Sequence, residues 1–437
     1  GAGGWGAGGS AGQIRAATMK ESTDLNQVPP HWKEKRLKDI AILVNGKAFK
    51  ESEWSDHGLP IVRIQNLKDK SLPFNYYQGQ IDSQFSMDNG ALLFSWSGSK
   101  GTSFGPHFWW GESAVLNQHI FKVLIKPEIE VDKIFLYYYL LKITTNIEDL
   151  TYGLAALVHV RKKDLENVSL YLPPLPEQRA IARALRAVQG AREARLREVA
   201  LEKERKAALM EHLFTHGTRG EATKMTEIGE MPESWEVVKL GDLLREKLKN
   251  GHSAKASNSD RGIRTLTLTA VTKNDFSITN TKITVADPEY VRDLWIKPGD
   301  IFIERANTPE FVGLVSLYQG PIDFAIFPDL MVRVRLKTEE VNPKYAVEFL
   351  LTEPTRSYFR RNAASTTGNM PKIDQGIIER TQIPIPGDFQ EQNFIADILN
   401  ACDAKIAALD HEARLLQELF RAMLEELMSG RLPAGAL

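Results

Sequence analysis

The chain has 437 residues, of which 43% are hydrophobic and 25% charged, with a formal net charge of −1 at pH 7. That length holds about two to four domains with ample core for each, and the balanced charge gives no chain-wide case for nucleic acid, so any such surface must be local. A single cysteine, Cys402, excludes an intrachain disulfide and removes any need for an oxidising compartment, and no apolar run approaches the roughly 18 residues of a membrane span, so a cytoplasmic location is expected.

In chain order, residues 1–26 open with GAGGWGAGGSAG, too polar and glycine-rich for a signal peptide, and read as a flexible tail or a non-native remnant. A first domain, 27–176, starts around Pro29-Pro30-His31-Trp32, with strands predicted over Ile61 to Ile64, Ala91 to Trp96, Ile120 to Ile125 and Val168 to Leu172, and a helix over Asp132 to Asp149. Proline at 173, 174 and 176 stops it, and a long helix follows over 177–216. His216 to Pro232, rich in Gly, Thr and Glu, reads as a linker over 217–231. A second domain, 232–390, opens with Pro232-Glu233-Ser234-Trp235. Its predicted strands are Arg264 to Leu268, Asp300 to Glu304, Gly313 to Tyr318 and Met331 to Leu336, with a helix over Pro343 to Arg361 interrupted at Pro354. A second long helix covers 391–430, and 431–437 is a frayed tail.

The long helices organise the rest. Ile395, Leu399, Cys402, Ile406, Leu409, Ala413, Leu416, Phe420, Met423 and Leu427 recur in steps of four and three, the seam of a coiled coil. Subtracting 214 from each number gives Ile181, Leu185, Val188, Arg192, Arg195, Val199, Glu202, Lys206, Leu209 and Leu213 on the first helix. Residues 178–216 carry nine basic and five acidic side chains, a balance of +4, whereas 392–428 carry three and seven, a balance of −4. Opposite balances favour packing the helices on each other. The polar stretch from Arg192 to Lys206 is the weak part of the seam and is expected to unwind locally or face another protein.

The offset between matching segments drifts from 203 at Trp32 and Trp235 to 210 at Val131 and Val341 and 214 in the helices, as in a duplicated domain whose surface loops vary in length. Searches for catalytic signatures come out empty. Gly1 to Gly6 fits a dinucleotide fingerprint in letters only, with neither strand before nor helix after. There is no GxxxxGK[ST] loop and no Asn/Asp-Pro-Pro-Tyr/Phe segment, and neither Cys nor His has zinc spacing.

The order of domain, Pro176-Glu177-Gln178-Arg179 before a helix, diverged second domain, and a matching helix after Gln390-Glu391-Gln392 that ends Met428-Ser429-Gly430-Arg431-Leu432 resembles the specificity subunit of type I restriction-modification enzymes. The likeness spans nearly all of the chain from Pro29 and includes the Trp32 and Trp235 pair; Gly387-Asp388-Phe389-Gln390 departs from the first copy's Leu175-Pro176 and makes the second helix start irregular. The resemblance implies an α+β fold with a pseudo-twofold internal repeat, in which two β-rich target-recognition domains are separated by two long antiparallel coiled-coil helices. It implies a non-catalytic chain that binds double-stranded DNA at a bipartite, asymmetric target. It also implies two methyltransferase subunits that carry S-adenosylmethionine and act on adenine N6, and restriction subunits that use ATP and Mg, with no cofactor, metal or membrane contact of its own. A 36-residue helix is about 54 Å long, against about 34 Å for a turn of B-DNA, so the pair suits a spacer between two reading heads.

Chemistry nominates the DNA-binding residues: Asn and Gln for adenine edges, Arg and Lys for guanine or phosphate. In the first domain these are Arg63, Gln65, Asn66, Ser97, Lys100, His107, His159, Arg161 and Lys162; in the second, Arg264, Lys273, Arg305, Asn307, Thr308, Asn369 and Lys372. Trp109, Trp110 and Tyr137 to Tyr139 are assigned to core instead of base stacking. Competing readings are a non-DNA-binding adaptor, whose two protein-binding modules are joined by the coiled coil, and a self-sufficient enzyme.

Overall fold

The computed structural model describes residues 28–69, 71–99, 101–150, 157–364 and 370–436. The chain divides into two units, one running up to Arg195 and resuming at Glu412, the other spanning Leu196–His411. Two helices, Leu175–His216 and Phe389–Met428, each contribute one end to either unit.

In the first unit, four antiparallel strands lie in the order Ala41–Asn45, Ile120–Ile125, Ala91–Ser95, Gly105–Trp109. Their alternating apolar side chains, among them Leu43, Leu92, Phe94, Phe121 and Val123, are buried against the helix Lys133–Leu150 and the ends of the two long helices. A second sheet orders Asn75–Tyr77, Leu59–Val62, Ala114–Leu116 and Ser86–Met87, with one parallel pair, Leu59–Val62 beside Ala114–Leu116. Lys33–Arg36 pairs with Ser169–Leu172 and so ties the domain's start to its finish. Trp109 is core, as expected, but Trp110 is 57% exposed and stacks on Phe108. Trp110 directly follows the strand that ends at Trp109, and successive residues of extended chain point to opposite faces.

The second unit repeats the plan. Lys249–Asn250, Met331–Val334, Ile301–Glu304 and Val315–Leu317 form its four-stranded sheet in the matching order, and Glu236–Lys239 pairs with Gln382–Ile385 as Lys33–Arg36 does with Ser169–Leu172. The parallel pairing survives as a single bridge, Thr265 to Ile326. The segment read as a linker holds an antiparallel hairpin, Thr223–Thr226 with Gly229–Pro232; its turn glycine, Gly229, has φ 115°, a conformation that favours glycine. The interruption expected at Pro354 divides the next helical stretch into Pro343–Leu350 and Glu353–Asn362, because Pro354 lacks the N–H that would continue the first.

Every one of the ten seam positions on either long helix is buried or half-buried. Leu175–His216 is unbroken, so the polar stretch does not unwind. Its polar seam residues meet charged residues of the other helix: Arg195 pairs with Glu412 at 2.7 Å in the first unit, and Lys206 with Asp403 at 2.6 Å and Glu202 with Lys405 in the second. In the second unit the partner number rises from 403 to 405 as the first falls from 206 to 202, so the helices run antiparallel. Cys402 is buried in the seam and accepts a weak hydrogen bond from Arg205.

Both helix starts are fixed in the same way. Trp32 Nε1 donates to Glu177 at 3.3 Å and Trp235 Nε1 to Glu391 at 3.4 Å. Gln178 takes the backbone N–H of Asp132 and donates to Pro173 O and Glu130 O; Gln392 takes the N–H of Asn342 and donates to Glu340 O. These bonds explain why Trp and Glu-Gln recur together.

Candidate nucleic-acid interface

In each unit one inner strand of the four-stranded sheet, Ala91–Ser95 or Ile301–Glu304, is followed by a residue held by the same three bonds. In the first unit it is Trp96: its N–H donates to His119 O at 3.3 Å, its carbonyl accepts from Val160 N at 2.9 Å, and its indole donates to Gln118 O at 3.2 Å. In the second it is Arg305: its N–H donates to Leu330 O at 2.8 Å, its carbonyl accepts from Ile373 N at 2.9 Å, and its guanidinium donates to Asp329 O at 3.4 Å. The next residue on each chain pairs with a cationic or titratable one, Ser97 with His159 and Ala306 with Lys372. Each partner segment then enters a short helix, Lys162–Glu166 or Gln375–Glu379.

A repeated Asn-Gly supports this rim, which sequence reasoning missed. Asn45 Oδ1 accepts from the Trp96 indole at 3.2 Å, and Asn250 Oδ1 from Gln375 at 3.1 Å. The glycines after them, Gly46 and Gly251, lie where an added Cβ would come 2.1 Å from Asn117 O and Phe327 O respectively, closer than any side chain tolerates. The signal was available: Asn45-Gly46 recurs 205 residues later as Asn250-Gly251, inside the repeat's drift.

Of the nominated residues, Ser97, His159 and Arg161 gather at the first rim, and Arg305, Asn307, Thr308 and Lys372 at the second. His159 is exposed and lies 6.5 Å from the Trp96 ring. Ser97 is itself buried. Arg161 and Lys162 are exposed and paired with Asp164 and Glu166 on the short helix. Arg63 and Gln65 lie elsewhere, at and after the start of the helix Ile64–Lys68, with the Arg63 guanidinium 5.2 Å from the Trp54 ring. Asn66 is fully buried: its side chain accepts from Arg63 N and donates to Leu72 O and Pro73 O, so it closes a turn and has no edge to offer a base. His107 is half-buried in mid-strand opposite Leu93, where burial pushes its imidazole pKa down. Arg264 bonds Thr281 and lies over Phe324, while Lys273 is exposed at the end of a short helix. Lys100 and Asn369 lie outside the described residues.

Charge behind the second rim is fixed by burial and pairing. Glu304, fully buried beside Arg305, accepts from Thr272 at 2.8 Å and from Asn307, and burial pushes its carboxyl pKa up. Asn307 in turn accepts the N–H of Thr308 at 2.7 Å, so the loop after Arg305 is tied to the sheet. Arg335 chelates Asp300 at 2.5 and 3.0 Å and, with buried Arg333, meets Glu246. Those arginines are held by carboxylates, whereas Arg305 is half-exposed with its guanidinium on a carbonyl, and Lys372 is exposed. Among the described residues no cluster of three or more His, Cys, Asp or Glu could hold a metal, and no helix is long and apolar enough to cross a membrane.

Comparison with known proteins agrees with this duplicated plan. The profile of the type I restriction modification DNA specificity domain matches twice, at residues 29–202 and 232–419. The chain is 24% identical over 417 residues to the type I restriction enzyme MjaVIII specificity subunit of Methanocaldococcus jannaschii, covering 93% of this chain and 94% of that one. It is 28% identical over 251 residues to the EcoBI specificity subunit of Escherichia coli, covering 52% of this chain and 51% of that one. In fold it is similar to the type I restriction-modification S subunit from M. genitalium, with a TM-score of 0.56 at 14% identity over 93% of this chain and 98% of the other. A second solved chain, from work on assembly and conformational transition of the type I system, gives 0.53 at 16% identity over 93% and 99%. With both domains and most of both helices inside the matched segments, the chain belongs to the family of type I restriction-modification DNA specificity domains.

Proposed function

We propose that this chain is the non-catalytic specificity subunit of a type I restriction-modification complex, which reads a two-part asymmetric DNA sequence and directs partner subunits to it. Its target-recognition domains would be 27–176 and 232–390, one for each half of the target. The observation that carries this reading is the repeated rim, built on one backbone plan yet bearing Trp96 and His159 in one copy and Arg305 and Lys372 in the other. A frame kept constant while its side chains differ in charge and shape suits two heads that read different words.

The helices Leu175–His216 and Phe389–Met428, of 42 and 40 residues, would serve as spacer and as docking surface for two methyltransferase subunits. Those partners would bring S-adenosylmethionine to adenine N6, and restriction subunits would bring ATP-driven cleavage. Such work belongs in the cytoplasm, where the DNA is. Bases would be read in the major groove by rim side chains, with flanking cations such as Lys162 and Lys273 fixing register on phosphate.

The test is electrophoretic binding of the chain with its cognate methyltransferase to duplexes of varied sequence. A shift confined to duplexes carrying both halves of one word supports the reading. No sequence-dependent shift would favour the protein-binding adaptor, and methyl transfer by the purified chain alone would make it an enzyme.

A further inference from the structure

We propose that the position held by Trp96 in the first unit and by Arg305 in the second is where each unit selects a base: guanine at Arg305, and the methyl-bearing edge of a thymine at Trp96. The inference rests on the DNA-reading role argued above and assigns it to single residues.

Three observations carry it. First, the two residues are equivalent by bonding, since N–H, carbonyl and side-chain donor engage matching partners, His119 and Leu330, Val160 and Ile373, Gln118 and Asp329. Secondly, the frame needs neither side chain in particular. An indole and a guanidinium serve the same carbonyl, and both are half-exposed, so the position can change chemistry at constant fold. Thirdly, what each residue still offers differs. Among the described residues Arg305 engages one donor of its planar fork, which leaves a face for the bidentate contact to guanine O6 and N7. The lone indole N–H of Trp96 is already directed to Asn45 Oδ1 and Gln118 O. The ring packs on His119 at 5.1 Å and Phe121 at 6.0 Å, so what it offers is the half-exposed remainder of an apolar surface, and the apolar feature of the major groove is the thymine methyl.

The buried carboxylate of Glu304 makes Arg305 more than a loose surface cation. Through Asn307 it fixes the loop that follows, and Lys372, bridged to Ala306, stands beside it. A phosphate contact would need no such fixed backbone, because phosphate accepts from any direction.

The experiment selects duplexes from a randomised pool with the full chain assembled with its methyltransferase subunits. Wild type is compared with Arg305→Gln, Trp96→Leu and Lys372→Gln. Glutamine can keep the bond to Asp329 O, so Arg305→Gln should fold, and a matching thermal melt checks it. The expected result is that Arg305→Gln exchanges guanine for adenine at one position of one half, with preference changing about tenfold or more there and the other half untouched. Trp96→Leu should blunt one thymine in the opposite half. Lys372→Gln, at the same rim, should alter the base adjoining the Arg305 position and leave the guanine at that position selected. If wild type selects a two-part word and Arg305→Gln selects the same word, or binds every sequence equally more weakly, this proposal is overturned while the broader reading stands. If wild type selects no word, both fall.

Discussion

Gln178 accepts the backbone N–H of Asp132 at 2.8 Å, and in the second copy Gln392 accepts that of Asn342 at 2.9 Å. Asp132 and Asn342 cap the helices that pack on the two four-stranded sheets: Asp132 Oδ1 accepts from Ile134 N and Phe135 N, and Asn342 Oδ1 accepts from Lys344 N and Tyr345 N. One buried glutamine therefore fastens each long helix to its recognition domain. Replacing it removes hydrogen bonds to largely half-buried backbone groups, at about 0.5–1.5 kcal/mol. Gln178→Ala and Gln392→Ala should each lose that much in denaturant unfolding, whereas Gln390→Ala, at an exposed position, should lose almost none. Equal effects would show that the bond does not fasten anything.

The contact one helical layer away differs between copies. Tyr138 meets Phe420 ring to ring at 5.9 Å in the first unit, while Glu348, 210 residues after Tyr138, meets Lys206, 214 before Phe420, at 2.8 Å in the second. Burial pushes the Glu348 carboxyl pKa up; burial would lower the Lys206 ammonium, but Glu348 and Asp403 lift it. Lys206→Met strands a buried carboxylate and should cost about 3–5 kcal/mol. Lys206→Phe with Glu348→Tyr, which installs the other copy's pair, should recover most of that, because an apolar replacement of a buried ion pair is often neutral. A double variant as unstable as Lys206→Met would refute the equivalence.

Glu304 supplies a pH test. Its folded pKa is raised by burial, so the stability it contributes is fully present below the ordinary carboxylate pKa and is lost as pH rises through the raised value. Glu304→Gln cannot titrate. Relative to wild type, the variant's unfolding free energy should therefore improve as pH rises from about 4 towards neutrality. Parallel profiles would mean the carboxyl titrates alike folded and unfolded.

Gly46→Ala and Gly251→Ala should each destabilise by about 1–3 kcal/mol through overpacking, since the new methyl meets backbone oxygens that cannot swing aside. Because each glycine follows the rim asparagine, sequence selectivity should weaken in the matching half-site alone. Unchanged melting and selectivity in both variants would remove the Asn-Gly turn from the rim.

The helices were legible in the sequence because a seam repeats every few residues and needs no tertiary information. Even their polar members were in register; of the two expectations for Arg192 to Lys206, local unwinding failed, since charge balances summed over whole helices do not show that Arg195 meets Glu412 or Lys206 meets Asp403. The hairpin at Thr223–Thr226 and Gly229–Pro232 escaped because Thr, Lys, Glu and Gly lack the apolar alternation that announces strands. The rim was half legible. Chemistry named Arg305, His159 and Lys372, but Trp96 reaches Val160 and Arg305 reaches Ile373 across 64 and 68 residues of chain, and no spacing rule predicts such meetings. Asn66 looked available for a different, local reason: its chemistry suits a base edge, but a turn closed within seven residues had already claimed its side chain.

The most direct measurement of the central claim is the adenine methylation pattern of the host genome with and without this chain. One two-part word, its halves separated by a fixed run of unspecified bases, should be methylated when the chain is present and unmethylated when it is deleted. Methylation that is unchanged by the deletion, or a lost word that is single and continuous, would contradict it.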